Sequence, residues 1–202
     1  MMHHGIVSHF DWQDKIMKEY LVADWKKQAK RIAKMGIKVC FTGHFHAQDI
    51  SQKYGLTDVE TGSTVSYPYP YRLIDIDTSK GTMHIHSDRV YTLGSMAGNK
   101  ETLEQKSERF ATSALSSFME SIVPKKVPAD VKTECAQVLG EAYAMHLGGD
   151  EQPTADFKAR LKTAVKRLRH YSWKWAFIMN KIGKNLSTDT GVRDNDTCIK
   201  YK

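Results

Sequence analysis

The chain has 202 residues, 41% of them hydrophobic, which is enough for one large domain or two small ones. It has no apolar run of about 18 residues and no signal-peptide pattern, so the sequence predicts no membrane span and gives no indication of location. Its three cysteines lie far apart, which argues against a disulfide framework or a zinc ribbon. The net charge of +7 is local, because residues 153–202 carry 12 basic and 4 acidic side chains.

The first region, residues 1–92, mixes strands with one helix and therefore predicts an α/β fold. Met1–Val7 has the pattern of the end of a strand, and residues 12–35 are predicted to form a helix that Gly36 ends. A short apolar strand, Ile37–Thr42, follows this helix. Three further strands are predicted at Thr57–Thr61, Tyr71–Asp77 and Thr82–Asp88.

A helical extension is predicted over residues 93–186, followed by an irregular polar tail at 187–202. Three segments repeat apolar residues at helical spacing, and Thr154 is placed to cap the last of them. The buried stripes are predicted to be Leu103, Phe110, Ala114, Leu115, Phe118 and Ile122 in 100–123, Val131, Cys135, Val138, Leu139, Ala142 and His146 in 129–147, and Phe157, Leu161, Ala164, Val165, Leu168, Trp175, Ile178 and Ile182 in 154–184.

The motif most indicative of chemistry is Gly43-His44-Phe45-His46, directly after the strand Ile37–Thr42. Two histidines one residue apart face opposite sides of an extended chain, but a turn at Gly43 would let both face one cavity. Imidazole is a good ligand for zinc, iron and manganese, and ligands of α/β proteins collect at the carboxyl ends of strands. Because a lone His-x-His is also common in polar loops, its neighbours decide the interpretation.

Those neighbours give residues 1 to about 90 a resemblance to the calcineurin-like metallophosphoesterase superfamily. Met2-His3-His4 stands at the predicted strand end, and Gly43-His44-Phe45-His46 follows the next strand. Thr61-Gly62-Ser63 and the proline-containing segment Tyr67–Tyr71 come after it in the family's order. The resemblance implies the C-terminal half of a metallophosphoesterase β-sandwich with flanking helices, followed here by the all-helical extension.

The resemblance also implies a metal-dependent phosphoester hydrolase, in which a metal-activated water attacks a phosphate ester. His3, His44 and His46 would be ligands of a two-metal site for manganese, iron or zinc, with His4 as the alternative to His3. We expect the three imidazoles to converge. Ser63 is a candidate for substrate binding, although a structural use of its turn is equally consistent with the sequence.

Tyr67 is a second candidate for substrate binding, although packing is the more common role for such a tyrosine. His84 and His86 share one strand face and are expected to face solvent, whereas His9 could line the mouth of the cleft.

The family's acidic and asparagine ligand motifs, Asp-x-His, Gly-Asp-x-x-Asp and Gly-Asn-His, do not occur in this sequence. We therefore expect the chain to be the C-terminal part of an enzyme and to be inactive alone, with a phosphate ester as the partner of the intact enzyme. A non-catalytic remnant acting as a structural or interaction module is one alternative.

Nucleic-acid binding through the basic helix 154–184 is the other alternative, which we do not favour because aromatic residues do not interleave with its charges. We expect these charges to form a solvated face beside the more acidic residues 91–152. The basic residues are Lys158, Arg160, Lys162, Lys166, Arg167, Arg169 and Lys174.

Overall fold

The structure, a computed structural model, describes residues 1–94, 101–189 and 191–202. In these residues the chain is mixed α/β, with two three-stranded sheets and six α-helices, which agrees with the predicted α/β class in general. No helix in the described part of the chain combines the length and apolarity needed to cross a membrane.

The first sheet has the strand order β1-β3-β2, formed by β1 (Val39–Thr42), β2 (Asp49–Lys53) and β3 (Leu56–Glu60). β3 is parallel to β1 and antiparallel to β2. The prediction did not include β2, whose sequence Asp-Ile-Ser-Gln-Lys contains a single apolar residue. Pairing with β3 therefore determines this strand more than its own residue preferences do.

The second sheet is antiparallel, with β5 (Thr82–Arg89) between β4 (Pro70–Asp77) and β6 (Asp196–Lys200). Its central strand alternates strictly, so that Met83 and Ile85 are buried while His84 and His86 face outward as predicted. The predicted irregular tail contains β6 instead.

The two sheets pack face to face. Ile50 and Val59 of the first sheet share one core with Met83 and Ile85 of the second, and Ile199 of β6 completes it. The opposite face of the first sheet is covered by a helix, α2 (Trp25–Lys34), whose Ala29 packs in a small core with Leu56. The layers are therefore helix, sheet and sheet, with the helical region added to them.

The N-terminal segment differs from its prediction in two respects. Met1–Val7 forms no strand beyond a single bridge between Gly5 and Leu21. Residues 12–35 form α1 (Gln13–Ile16), a 3-10 turn and then α2, rather than one helix. The interruption has a cause, because Gly5 exchanges backbone hydrogen bonds with Tyr20 and Val22 and holds that segment extended.

Four helices follow: α3 (Leu103–Ile122), α4 (Ala129–Gly148), α5 (Ala155–Arg169) and α6 (Trp173–Asn185). Thr154 caps α5 as predicted, accepting a hydrogen bond from the Phe157 amide at 3.1 Å. The segment predicted as one helix over 154–184 is two, because the Ser172 side chain caps a new helix by accepting from the Trp175 amide at 3.4 Å.

The predicted stripes of α4 and α5 are buried in one core, and Ile182 of α6 is buried with them. Trp175 and Ile178 pack against that core while remaining half-buried. Phe110 of α3 is 76% exposed, so its predicted burial is wrong. The side chains of Ala114, Leu115, Phe118 and Ile122 lie outside what the structure describes.

The helical core also contains Phe10, Phe45 and Ala47 from the first region. The helices therefore pack directly against the segment that carries His44 and His46.

Candidate metal centre and adjacent cavity

The backbone brings the two histidine motifs together. The carbonyl oxygen of His3 accepts hydrogen bonds from the amides of Gly43, at 3.1 Å, and His44, at 2.9 Å. The amide of Met2 donates to the carbonyl of Phe41 at 2.9 Å. The segment that contains His3 thus lies along the carboxyl end of β1.

Three imidazoles cluster there on the surface. His3 Nε2 lies 2.7 Å from His44 Nδ1, and the centroids of these rings are 4.4 Å apart. The His4 ring is also 4.4 Å from that of His44, and the Tyr20 ring packs against His44 at 4.9 Å. The structure therefore brings His3 and His44 together and leaves His4 as an alternative ligand.

His46 lies near this cluster without stacking on its rings. It makes no ring contact with His3, His4 or His44 in the described part of the chain, and its Nδ1 faces the Ser66 hydroxyl at 3.4 Å. The left-handed backbone of this turn is at His46, with φ 62°, and not at Gly43. The structure thus shows a close contact for His3 and His44, and the expected convergence of His46 with them stays a prediction.

The environment favours neutral imidazoles. Partial burial lowers the pKa of His44, and its neighbours His4, His3 and His46 lower it further. Burial also lowers the pKa of His46, with His3 as the second cause. Since only the neutral ring coordinates a metal, both side chains are in their ligand form at neutral pH.

Asp58 of β3 forms hydrogen bonds both to the N-terminal segment and to β1. This fully buried carboxylate accepts hydrogen bonds from the amides of Ile6 at 2.6 Å and Val7 at 2.9 Å. It also accepts one from the Thr42 hydroxyl at 2.7 Å. Because Thr42 immediately precedes the histidine motif, Asp58 fixes how the His3 segment and the motif lie relative to each other.

Glu60, also fully buried, holds the motif itself. Its Oε1 accepts a hydrogen bond from the Phe45 amide at 2.6 Å, between the two histidines of the motif. Burial raises the pKa of Glu60 to about 7, although His9 and the Phe45 amide act in the opposite direction.

His9 joins these carboxylates to a third. Its Nδ1 lies 2.5 Å from Asp49 Oδ2, and its Nε2 lies 3.2 Å from Glu60 Oε2 and 3.5 Å from Asp58 Oδ2. Burial alone would lower the pKa of His9, but the carboxylates outweigh it and raise that pKa well above its usual value. A protonated His9 therefore balances the buried negative charge.

A second buried pair continues this network. His146 Nδ1 lies 2.6 Å from Glu151 Oε1, and both side chains are almost fully buried. Although burial would lower the pKa of His146, the Glu151 carboxylate raises it.

Two groups in the described residues bring three potential ligand atoms within 4.8 Å of one another and could hold a metal ion. They are Asp49, His146 and Glu151, and Asp150, Asp189 and Asp194. Neither group includes the predicted ligands. The carboxylates of the first are already engaged by His9 and His146, and Asp194 accepts hydrogen bonds from the amides of Ile50 and Asp150.

A cavity of about 1050 Å³ opens beside this network. Its lining includes His9, Asp49, His146 and Glu151 together with residues of β2, α5 and α6. Phe10 also lines it, and the Phe10 ring packs on the ring of Phe45 at 5.8 Å. This aromatic contact lies between the cavity and the histidine motif.

The two predicted substrate-binding residues have structural contacts. Ser63 Oγ accepts a hydrogen bond from the Val65 amide at 3.2 Å, and the Ser63 carbonyl accepts one from Ser66. Tyr67 packs against the helical core, and burial raises the pKa of its hydroxyl to about 12. Their roles in substrate binding stay predictions.

Several of these charged residues were missed by the sequence analysis. Asp58 and Glu60 alternate with Val59 along a strand that was predicted, and so share one face of it. Such alternation is typical of a solvent-facing side, so the sequence did not indicate that these carboxylates are buried. The helical repeat did place His146 on the buried face of α4, whereas its partner Glu151 carries no local signal.

Comparison with known proteins adds no support for a metal or substrate site in this chain. No model of a known protein family matches the chain, and no curated protein matches it either.

Proposed function

We propose that this chain supplies histidine ligands to the divalent-metal centre of a phosphoester hydrolase of the calcineurin-like metallophosphoesterase type. The observation that carries the proposal is the 2.7 Å approach of His3 Nε2 to His44 Nδ1, from segments 41 residues apart. Both rings lie at the end of β1, as the resemblance implies for metal ligands. His46 would serve the second ion of a two-metal centre.

The donor set fits one ion better than two. Two neutral imidazoles from rigidly held segments are suited to zinc, iron or manganese. A pair of closely spaced divalent ions is normally bridged by a carboxylate. The buried carboxylates Asp49, Asp58 and Glu60 are engaged with His9 instead, and the carboxylate that acts on the pKa of His44 is that of Glu19. Glu19 is therefore the described acid best placed to add a ligand, and a bridging carboxylate between two ions is not among the contacts of His3 and His44.

A bound divalent ion would polarise the phosphoryl oxygens and activate a water. The chain's own residues would hold and orient that centre. His3 and His44 would bind the metal ion, and Tyr20 packs against the His44 ring. Asp58 and Glu60 accept hydrogen bonds from the backbone of the His3 segment and of the histidine motif, and so hold both in place. Such hydrogen-bonded support around ligands normally contributes strongly to metal affinity.

The first prediction concerns metal binding by the isolated chain. We expect one zinc or manganese ion to bind, and His3→Ala or His44→Ala to weaken binding by at least about tenfold, because each removes a donor atom. Binding should be lost below about pH 6 as the imidazoles become protonated. Isothermal titration calorimetry measures both effects.

His84→Ala is the matched control, since it removes an exposed histidine of β5 from a site with no proposed ligand role. His146→Ala tests the buried group of potential ligands. Loss of metal binding in His146→Ala with normal binding in His44→Ala would contradict the proposed centre.

The second prediction is that the chain alone has negligible hydrolase activity. With manganese or zinc added, turnover of 4-nitrophenyl phosphate and its diester should not exceed that of a His3→Ala/His44→Ala double variant, because a bridging carboxylate is missing. Clear turnover by the parent would mean that other acids, such as Asp11, Asp49 or Glu60, complete the site.

The affinity for phenylphosphonate, measured with and without metal, distinguishes the proposed hydrolase from the alternative of a non-catalytic structural module. If the centre belongs to a phosphoester hydrolase, loaded metal should increase the affinity for phenylphosphonate, an unreactive analogue of a phosphate ester. The increase should disappear in His44→Ala and persist in His84→Ala. A metal that binds without any gain in phenylphosphonate affinity would favour the structural module.

A further inference from the structure

The basic helix α5 has two chemically different faces. Arg160 contacts Glu141 at 2.6 Å and Asp156 at 2.7 Å. Arg167 contacts Asp130 and Glu134. This face of α5 therefore packs beside acidic residues of the preceding helix, as predicted. The charges of Arg160 and Arg167 are neutralised there.

The other face is not neutralised. Lys158, Lys162, Lys166 and Arg169 follow one another at helical spacing and all line the cavity described above. None of them forms an ion pair with a carboxylate in the described part of the chain. Four like charges at this spacing repel one another, so this face is poised for an anion.

Cations from two other elements border the same cavity. Lys184 of α6 and Lys53 of β2 both line it. Burial lowers the pKa of Lys53, whose ammonium group donates to the Ser8 carbonyl at 2.6 Å. Basic groups from three elements therefore surround one volume.

The acids that line the cavity are fewer than its six lysine and arginine side chains, and they have partners of their own, although Asp11 and Asp49 also act on the pKa of Lys53. Asp11 contacts Lys181 at 3.3 Å, Asp49 contacts His9, and Glu151 contacts His146. Asp189 is likewise engaged. The unpaired charge that faces the cavity is positive.

We propose that this cavity binds a small molecule bearing two or more phosphate groups. Lysine is a frequent phosphate ligand, and charge-assisted hydrogen bonds to phosphate are stronger than neutral ones. A volume of about 1050 Å³ with a buried polar floor accommodates a metabolite-sized ligand.

A single-stranded nucleic acid is the less suitable occupant. Such ligands are held by exposed aromatic platforms as well as by charge. Among the described lining residues the only aromatic one is Phe10, which is 5% exposed and covered by neighbouring rings. The site is independent of the proposed metal centre, because His3, His44 and His46 do not line the cavity.

The test uses the whole chain treated with EDTA and tripolyphosphate as the probe. Calorimetry should detect binding that weakens with added salt. Lys162→Glu/Lys166→Glu should weaken it by at least about tenfold, because two charge-assisted contacts become repulsive. Lys34→Glu/Lys174→Glu makes the same change in net charge outside the cavity and should leave the affinity within about twofold.

Three further measurements complete the test. Lys162→Gln/Lys166→Gln, a milder change, should also weaken binding, and circular dichroism checks that each variant is folded. His44→Ala should bind tripolyphosphate normally, so that failure of the proposed metal centre is a separate result. Absence of tripolyphosphate binding, equal losses in both charge-reversed variants, or preferential binding of a polyuridine oligonucleotide would each overturn the proposal.

Discussion

Replacing Leu161 with aspartate should unfold the helical region. Leu161 is 4% exposed, and its methyl groups pack over Gly183 of α6 so closely that a β-carbon added there would lie 2.7 Å from Leu161 Cδ1. An aspartate would place an unpaired carboxylate in this apolar contact, at a cost of several kcal/mol. Since domains are stable by only about 5–15 kcal/mol, this cost removes a large part of the free energy of unfolding.

Urea denaturation followed by circular dichroism measures this effect. Leu168→Asp, in the same core, should lower the free energy of unfolding by a similar amount. Ala159→Asp is the matched control, because it introduces the same charge at an exposed position of the same helix and should change stability by about 0.5 kcal/mol or less. Parent-like unfolding of both leucine variants would show that α5 does not pack as described.

Replacing Asp58 with alanine should have the second largest effect. The substitution leaves three donors, the amides of Ile6 and Val7 and the Thr42 hydroxyl, without their buried acceptor. It also removes one of the carboxylates that balance protonated His9. Breaking such a buried network costs about 3–5 kcal/mol.

Thermal unfolding measures the loss, with Asp75→Ala on β4 as the exposed control. Thr42→Val, which removes a single hydrogen bond, should cost about 1 kcal/mol. If the Asp58→Ala and Asp75→Ala variants had the same melting temperature, the network would contribute no net stability. The ordering of the His3 segment would then need another explanation.

Local residue patterns were sufficient for much of the fold. The buried faces of α4 and α5 follow from their helical repeat, and the alternation in β5 follows from its sequence. The sequence patterns gave wrong predictions where tertiary contacts determine the structure more than local residue preferences do. β2 and β6 are short polar segments that become strands by pairing with β3 and β5, and the first predicted helix is interrupted by hydrogen bonds to Gly5.

The candidate site was predictable only in its outer part. The spacing of Gly43-His44-Phe45-His46 after a strand predicted ligands, and the approach of His44 to His3 was expected from the resemblance. Asp58 and Glu60 share one face of β3, but nothing in the sequence shows that Asp49 of β2 and His9 lie beside them. The unpaired face of α5 was equally hidden, because sequence alone does not show which basic residues Glu141 and Glu134 neutralise.

The position of β6 affects how the protein can fold during synthesis. Residues 82–86 of β5 pair with residues 196–200, so this edge of the second sheet can be completed only after residue 200 has left the ribosome. Until then β5 has an open edge next to the apolar side chains of Met83 and Ile85, a situation that favours intermolecular pairing. The helices between the two strands are built from local contacts and can form first. A nascent chain stalled before residue 194 would also lack the carboxylate that ties the amides of Ile50 and Asp150 together.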